Sequence, residues 1–150
     1  MKRRILVLNG PNLGALGTRE PSLYGTMSLD EVNRGLEGLG SELACDLEFA
    51  QTNHEGILLD TLYAAVGRVD GVLLNPAGFT HTSVALRDAI LATRLPVVEV
   101  HLSHPASREP FRRQSLISDV VVGSVTGFGP ESYALGLRAL AGHLRRGPQA

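Results

Sequence analysis

A chain of 150 residues with 43% hydrophobic and 19% charged side chains fits one globular domain, 1–150, burying about two-thirds of its unfolded surface. A net charge of −1 gives no bulk attraction to nucleic acid or an anionic membrane, and no apolar run is long enough to span a bilayer. The single cysteine, Cys45, excludes an internal disulfide and a cysteine-based zinc site and suits a reducing cytoplasm. The single lysine, Lys2, precedes the first strand and leaves Schiff-base chemistry without a residue to use. After Met1–Arg4 the apolar stretch Ile5–Leu8 is too short for the core of a signal peptide.

Strand-like runs and helical patterns then alternate. RILVLN (4–9) is a branched apolar run closed by Asn-Gly and predicts the first strand. It leads into NGPNLGALGTREPSLYG (9–25), a glycine-rich loop too long for one turn, carrying one arginine, Arg19, and one tyrosine, Tyr24. Ser28 and Glu31 have capping-box spacing, and Leu29, Val32, Leu36, Leu39 and Leu43 follow a helical stripe. DLEFAQ (46–51) alternates like a half-exposed edge strand. A second helix is expected over 55–67 with Ile57, Leu58, Leu62, Ala65 and Val66 inward, then a buried strand at 71–75 and a third helix near 83–93. PVVEVH (96–101) and DVVVGSV (119–125) read as the fourth and fifth strands. Pro130 opens a last helix carrying Leu137, Leu140 and Leu144, and the tail from Arg145 should fray.

Five βα units predict an α/β, flavodoxin-like three-layer sandwich around a five-stranded parallel sheet, with strand 2 at an edge and the order 2-1-3-4-5. Ligands in such a sheet bind beyond the carboxyl ends of the strands, near the switch between strands 1 and 3. The distinctive polar residues collect there. Strand 1 ends at Asn9 and leads to Asn12; strand 3 ends at Asn75, before His81. Strand 4 carries Glu99 and His101, two apart and so on one face, then Ser103, His104 and a segment with Arg108 and Arg112. Glu99 in an apolar strand needs a partner, and His101 in register supplies one.

The chain has no G-x-G-x-x-G, no P-loop and no nucleophile elbow. Histidine, tyrosine, arginine, asparagine and glutamate remain, a set suited to proton transfer without a cofactor. Two other readings use the same strand ends. One is a flavodoxin-like module for FMN or a phosphate. The other is a metal hydrolase built on His81, Glu99, His101 and His104, whose spacing matches no metal motif.

Long segments, NGPNLGALGTREPSLYG at 9–25, QTNHEG at 51–56, NPAGFTHTSVALRDA at 75–89, EVHLS at 99–103 and REPFRRQS at 108–115, resemble the type II 3-dehydroquinate dehydratases over nearly the whole chain. The resemblance implies reversible dehydration of 3-dehydroquinate to 3-dehydroshikimate, with no metal or organic cofactor. It implies a homododecamer built as a tetramer of trimers. By position it makes Tyr24 the proton acceptor and His101 the proton donor, with Arg19 assisting the tyrosine. Asn12 helps hold the water that stabilises the enolate, and Glu99 orients the histidine. Asn75, His81, Arg112 and the Leu102–Ser103 backbone match substrate-binding positions. Asp88 matches a residue that enters a neighbouring subunit's site; it is expected on the third helix, pointing away from the Val84–Ala85 apolar face. The sequence departs from the family at His104–Ser107, where Asn-Val-His-Ala is more usual, and at Ser132, where a glycine is common before Tyr133.

The chemistry suits these residues. Only about a thousandth of free tyrosine is ionised at neutral pH, and a nearby guanidinium favours the phenolate, so the loop's cation and phenol together make a base. A histidine held by a carboxylate can deliver a proton to a departing hydroxyl.

Overall fold

The computed structural model describes residues 1–147. Five parallel strands, β1 (Arg3–Asn9), β2 (Cys45–Gln51), β3 (Gly71–Asn75), β4 (Val97–His101) and β5 (Gly123–Thr126), form one sheet in the order β2-β1-β3-β4-β5. Five helices accompany them: α1 (Pro21–Tyr24), α2 (Leu29–Glu42), α3 (Glu55–Ala65), α4 (Val84–Thr93) and α5 (Glu131–Arg146). The expected architecture and strand order are both present.

The period-two alternation of the strands divides the core in two. Ile5, Val7, Leu73, Val98 and Val100 face Val32 and Leu36 of α2 and Leu137 and Leu140 of α5. Leu6, Leu8, Val72, Leu74 and Val97 face Leu58 and Leu62 of α3 and Leu86, Ala89 and Ile90 of α4. Each fully buried aliphatic side chain contributes about 1.5–3 kcal/mol, so both faces are needed to hold the layers together. The sheet is thereby fixed in register, with Asn9 paired beside Asn75 at the carboxyl edge. Gly136 lets α5 lie close: a β-carbon there would sit 2.6 Å from Val100 Cγ2 and 2.9 Å from Leu73 Cδ1.

Local signals act as expected in α2, where Ser28 Oγ accepts the Glu31 N–H at 3.2 Å and caps the helix. Strand β2 lies at the edge and is half-buried along most of its length. Three expectations are corrected. Strand β5 begins at Gly123 rather than 119, because Val120 and Val121 are spent packing against the α3–α4 core from a turn in which Val120 N–H bonds Ile117 O. Ile57 and Val66 do not face inward: they are 51% and 50% exposed, Ile57 because the buried stripe of α3 is Leu58, Leu62 and Ala65, and Val66 because the helix ends at Ala65 and Val66 turns the chain out of it. The tail does not loosen at Arg145, because α5 continues to Arg146; residues 148–150 of that expectation lie outside the described residues.

Cys45 opens β2 at the edge remote from the polar strand ends, and burial pushes its thiol up from the ordinary value. It should react with an aromatic disulfide reagent only slowly in the folded protein and at the rate of a free thiol in denaturant. Equal rates in the two conditions would contradict the packing of β2.

Candidate active site

The site grows out of the carboxyl ends of β1, β3 and β4. After Asn9 the chain crosses directly over Pro76, and Gly10 makes the crossing possible: its N–H donates to Asn75 O at 2.8 Å, and a β-carbon would lie 2.7 Å from Pro76 O. Asn12 then adopts a left-handed conformation, φ 69°, heads a 3-10 turn at Leu13–Ala15, and donates its N–H to Asn53 Oδ1 at 2.9 Å. Leu13 and Leu16 are buried in the core and pin this stretch. Pro21 starts α1 and Gly25, φ 80°, ends it, so the loop delivers Tyr24 to the sheet as a packed side chain only 7% exposed.

Two guanidinium groups face that phenol ring. Arg19 Cζ lies 4.6 Å from the centroid and Arg108 Cζ 5.3 Å. Both distances are within cation–π range and set two positive charges against the ring. Arg108 also donates from Nη1 to Ser103 Oγ at 3.3 Å, and its Nε is buried with no acceptor among the described residues. The sequence placed Arg108 in the right segment without placing it at the phenol. Only a fold that brings residue 108 back over residue 24 puts the two together.

On β4 the Glu99–His101 pair forms as the spacing predicts, with both side chains buried and Nε2 2.6 Å from Glu99 Oε2. A carboxylate only accepts, so Nε2 carries the hydrogen and Nδ1 is left for exchange with a ligand. Ser124 Oγ donates to Glu99 Oε1 at 3.4 Å. Beyond His101, Gly127 N–H bonds His101 O at 3.3 Å and Gly129 N–H bonds Leu102 O at 3.0 Å. In a trans peptide C=O and N–H point oppositely, so the Leu102 and Ser103 N–H groups are turned away from that loop. Successive N–H groups aimed together make an anion cradle.

A cavity of about 120 Å³ is lined by Asn12, Arg19, Tyr24, Asn75, His81, His101, Leu102, Ser103, Arg108 and Arg112. Nine of the eleven expected site residues therefore meet in one place. Glu99 stands behind His101 and is not in the lining. Asp88 is also outside it, exposed on α4. Its expected orientation is corrected: Val84 is 58% exposed and lies one helical turn before Asp88 on the same outer face, while Leu86, Ala89 and Ile90 point inward. His81 donates Nδ1–H to Gln114 O at 2.7 Å, which leaves its Nε2 as an acceptor. Arg112 pairs with Glu109, and that side-chain hydrogen bond holds the Glu109 carboxyl below the ordinary range. Three arginines and two histidines line the cavity, with no carboxylate among the described lining residues, a balance that favours an anion.

Sequence reasoning missed the floor of the site. Tyr133 of α5 is completely buried and donates to Asn9 Oδ1 at 2.6 Å while accepting from Asn75 Nδ2 at 2.9 Å. Burial pushes this phenol well above its ordinary value, so it stays a hydroxyl. Of the two departures, the first sets Pro105 in the cavity lining while His104 is exposed, 3.5 Å from Thr126 Oγ1 and outside it; at the second, Ser132 Oγ is buried and accepts Phe128 N–H at 3.0 Å. His81, Glu99, His101 and His104 do not converge on one point that would hold a metal ion among the described residues.

Fold and site together define a flavodoxin-like α/β protein whose parallel sheet presents, at its carboxyl edge, a cationic pocket lined by a phenol and two imidazoles. Residues 3–141 match the family model described as dehydroquinase class II. The chain is 52% identical over 143 residues to a 3-dehydroquinate dehydratase of Geotalea daltonii, covering 95% of this chain and 99% of that one. It is 53% identical over 143 residues to one of Gloeobacter violaceus, covering 95% and 89%. The crystal structure of a type II dehydroquinase from Propionibacterium acnes superposes with a TM-score of 0.90 at 42% identity, covering 95% of this chain and 98% of that one. One from Butyrivibrio crossotus gives 0.90 at 34%, covering 93% and 97%. This chain belongs to the class II dehydroquinase family.

Proposed function

We propose that the chain is a hydro-lyase that removes water reversibly from 3-dehydroquinate to give 3-dehydroshikimate, without a cofactor and through an enolate, on the shikimate route to chorismate and the aromatic amino acids. The family match and the names of its relatives support the activity. One observation carries the mechanism: a phenol and an imidazole line the same cavity, the phenol under two guanidinium groups and the imidazole on a carboxylate.

Tyr24 takes the proton beside the ketone, with Arg19 and Arg108 stabilising the phenolate that does so. Asn12 serves the enolate oxygen through a water. His101 Nδ1 gives a proton to the departing β-hydroxyl, and Glu99 offsets the positive charge of the imidazolium that precedes that transfer. The Leu102 and Ser103 N–H groups and Arg112 receive the substrate carboxylate, and Asn75 and His81 bind its hydroxyls. No step requires a metal. Chelator-treated protein given 3-dehydroquinate should therefore produce the ultraviolet absorbance of the conjugated enone, and absence of that product overturns the reading. The lone, unpaired Cys45 suits a reducing cytoplasm.

The homododecamer belongs to the same proposal, with Asp88 contributed to a neighbouring site. Asp88 stands outside its own chain's cavity, beside exposed Val84 and Leu91, and the buried Arg108 Nε lacks an acceptor. A carboxylate arriving from another copy supplies one. Asp88→Ala and Tyr24→Phe should each be poorly active alone. Co-expressed, they assemble some sites with Tyr24 from one chain and Asp88 from the next, about a quarter of the total for random mixing in a closed ring. The purified mixture should exceed both parents severalfold; activity at the parents' average means that Asp88 serves its own chain.

A further inference from the structure

We propose that Tyr133, which lies outside the cavity lining, is a positioning residue that fixes the Asn75 amide for substrate from beneath the cavity. The proposal rests on the reading of Asn75 as a substrate-binding residue. Its basis is the count of donors and acceptors around one buried hydroxyl.

A tyrosine hydroxyl has a single hydrogen. Here it goes to Asn9 Oδ1, 2.6 Å away, so the oxygen is left to accept, and Asn75 Nδ2 donates to it at 2.9 Å. The other end of the same amide is also committed: Asn75 Oδ1 accepts Ala77 N–H at 3.1 Å. A flipped amide would set Nδ2 against the Ala77 N–H, donor to donor. Asn75 is therefore locked in one orientation from both ends, and one N–H and one lone pair remain uncommitted on a residue that lines the cavity.

The second lock has its own strain. Ala77 sits at φ 52°, a left-handed conformation that a residue with a β-carbon seldom adopts, and it too lines the cavity. The bond from Ala77 N–H to Asn75 holds that turn. Tyr133 thus governs both the amide and the turn beside it, through contacts 124 and 58 residues away in sequence. Asn9 and Tyr133 are both fully buried and outside the cavity lining. Their side-chain hydrogen bond to a cavity-lining residue is the one Tyr133 makes with Asn75.

Tyr133→Phe, Asn75→Ala and the double variant should be compared in kcat, KM and thermal midpoint. In Tyr133→Phe, KM for 3-dehydroquinate should rise about tenfold, the scale of one lost neutral hydrogen bond, with kcat changed far less. Asn75→Ala should raise KM at least as much. The double variant should match Asn75→Ala alone, because Tyr133 has nothing left to position. Normal KM in Tyr133→Phe with only a lowered midpoint, or a double variant whose loss is the product of the two singles, overturns the proposal. If Tyr133→Phe does not fold, Asn9→Ser releases the hydroxyl from its acceptor and should raise KM in the same direction; an unchanged KM there overturns it as well. A normal KM in Asn75→Ala removes the reading of Asn75 together with this proposal, while leaving the roles of Tyr24 and His101 standing.

Discussion

Tyr24→Phe should lower kcat by roughly a thousandfold or more, within the range assigned to a positioned proton-transfer group, while KM and the thermal midpoint move little. The ring is part of the core cluster with Leu13, Leu16 and Leu102, and phenylalanine preserves that packing. Arg19 and Arg108 keep an aromatic face to rest on, so the loop should still close on the sheet. What disappears is the oxygen that accepts the proton. A thousandfold loss corresponds to about 4 kcal/mol of transition-state stabilisation, more than the shift of a packed ring alone is expected to cost. The two arginines would then hold positive charge with no phenolate to stabilise, so restoring the loop contact does not restore turnover. Steady-state kinetics and a melting curve on the same preparation check this: near-normal kcat removes Tyr24 from the chemistry, and a large fall in midpoint means that the hydroxyl serves the fold.

Much of this was legible in the sequence because its local signals agree with one another. Branched apolar runs fixed the strands, the Ser28–Glu31 box fixed the start of α2, and the alternation of elements led to a parallel sheet with β2 at its edge. The strand-end rule places Asn12, Asn75 and His101 at one edge, where the structure has them lining one cavity. Local pattern failed where tertiary contacts decide. Val120 and Val121 look like strand residues but pack their side chains from a turn, Ile57 lies on the outer face of a helix that is apolar nearly all round, and Val66 falls just past that helix's end.

In the site, the missed features are contacts between distant positions. Arg108 reaches the ring of Tyr24, 84 residues earlier in the chain. The Asn9–Tyr133–Asn75 floor joins β1, β3 and α5. A lone tyrosine in a helix carries no signal of its partner, since a buried hydroxyl needs some acceptor but sequence does not say which. Glu99 and His101 were legible for the opposite reason: two residues apart on one strand, they share a face whatever the rest of the chain does.

His101→Ala should lose dehydration yet retain exchange of the substrate's acidic proton. The two proton transfers use different groups: Tyr24 acts beside the ketone, and His101 acts on the hydroxyl. If an enolate lies between them, the first step can proceed and reverse without the second. Without His101 the enolate must expel hydroxide unaided, which should cost roughly a factor of ten thousand, the upper end of what a positioned acid contributes. The enolate therefore returns to substrate, collecting a proton from Tyr24 that has equilibrated with solvent. In deuterium oxide, His101→Ala incubated with 3-dehydroquinate should deplete the exchangeable methylene signal in the proton spectrum with little enone formed, whereas Tyr24→Phe should do neither. Glu99→Gln should fall between, with slower elimination and normal exchange, because His101 keeps a hydrogen-bond acceptor at Nε2 but loses the negative charge that stabilises imidazolium. Exchange lost in His101→Ala along with turnover would mean that His101 takes part in the first transfer, and the division of labour between phenol and imidazole would be wrong.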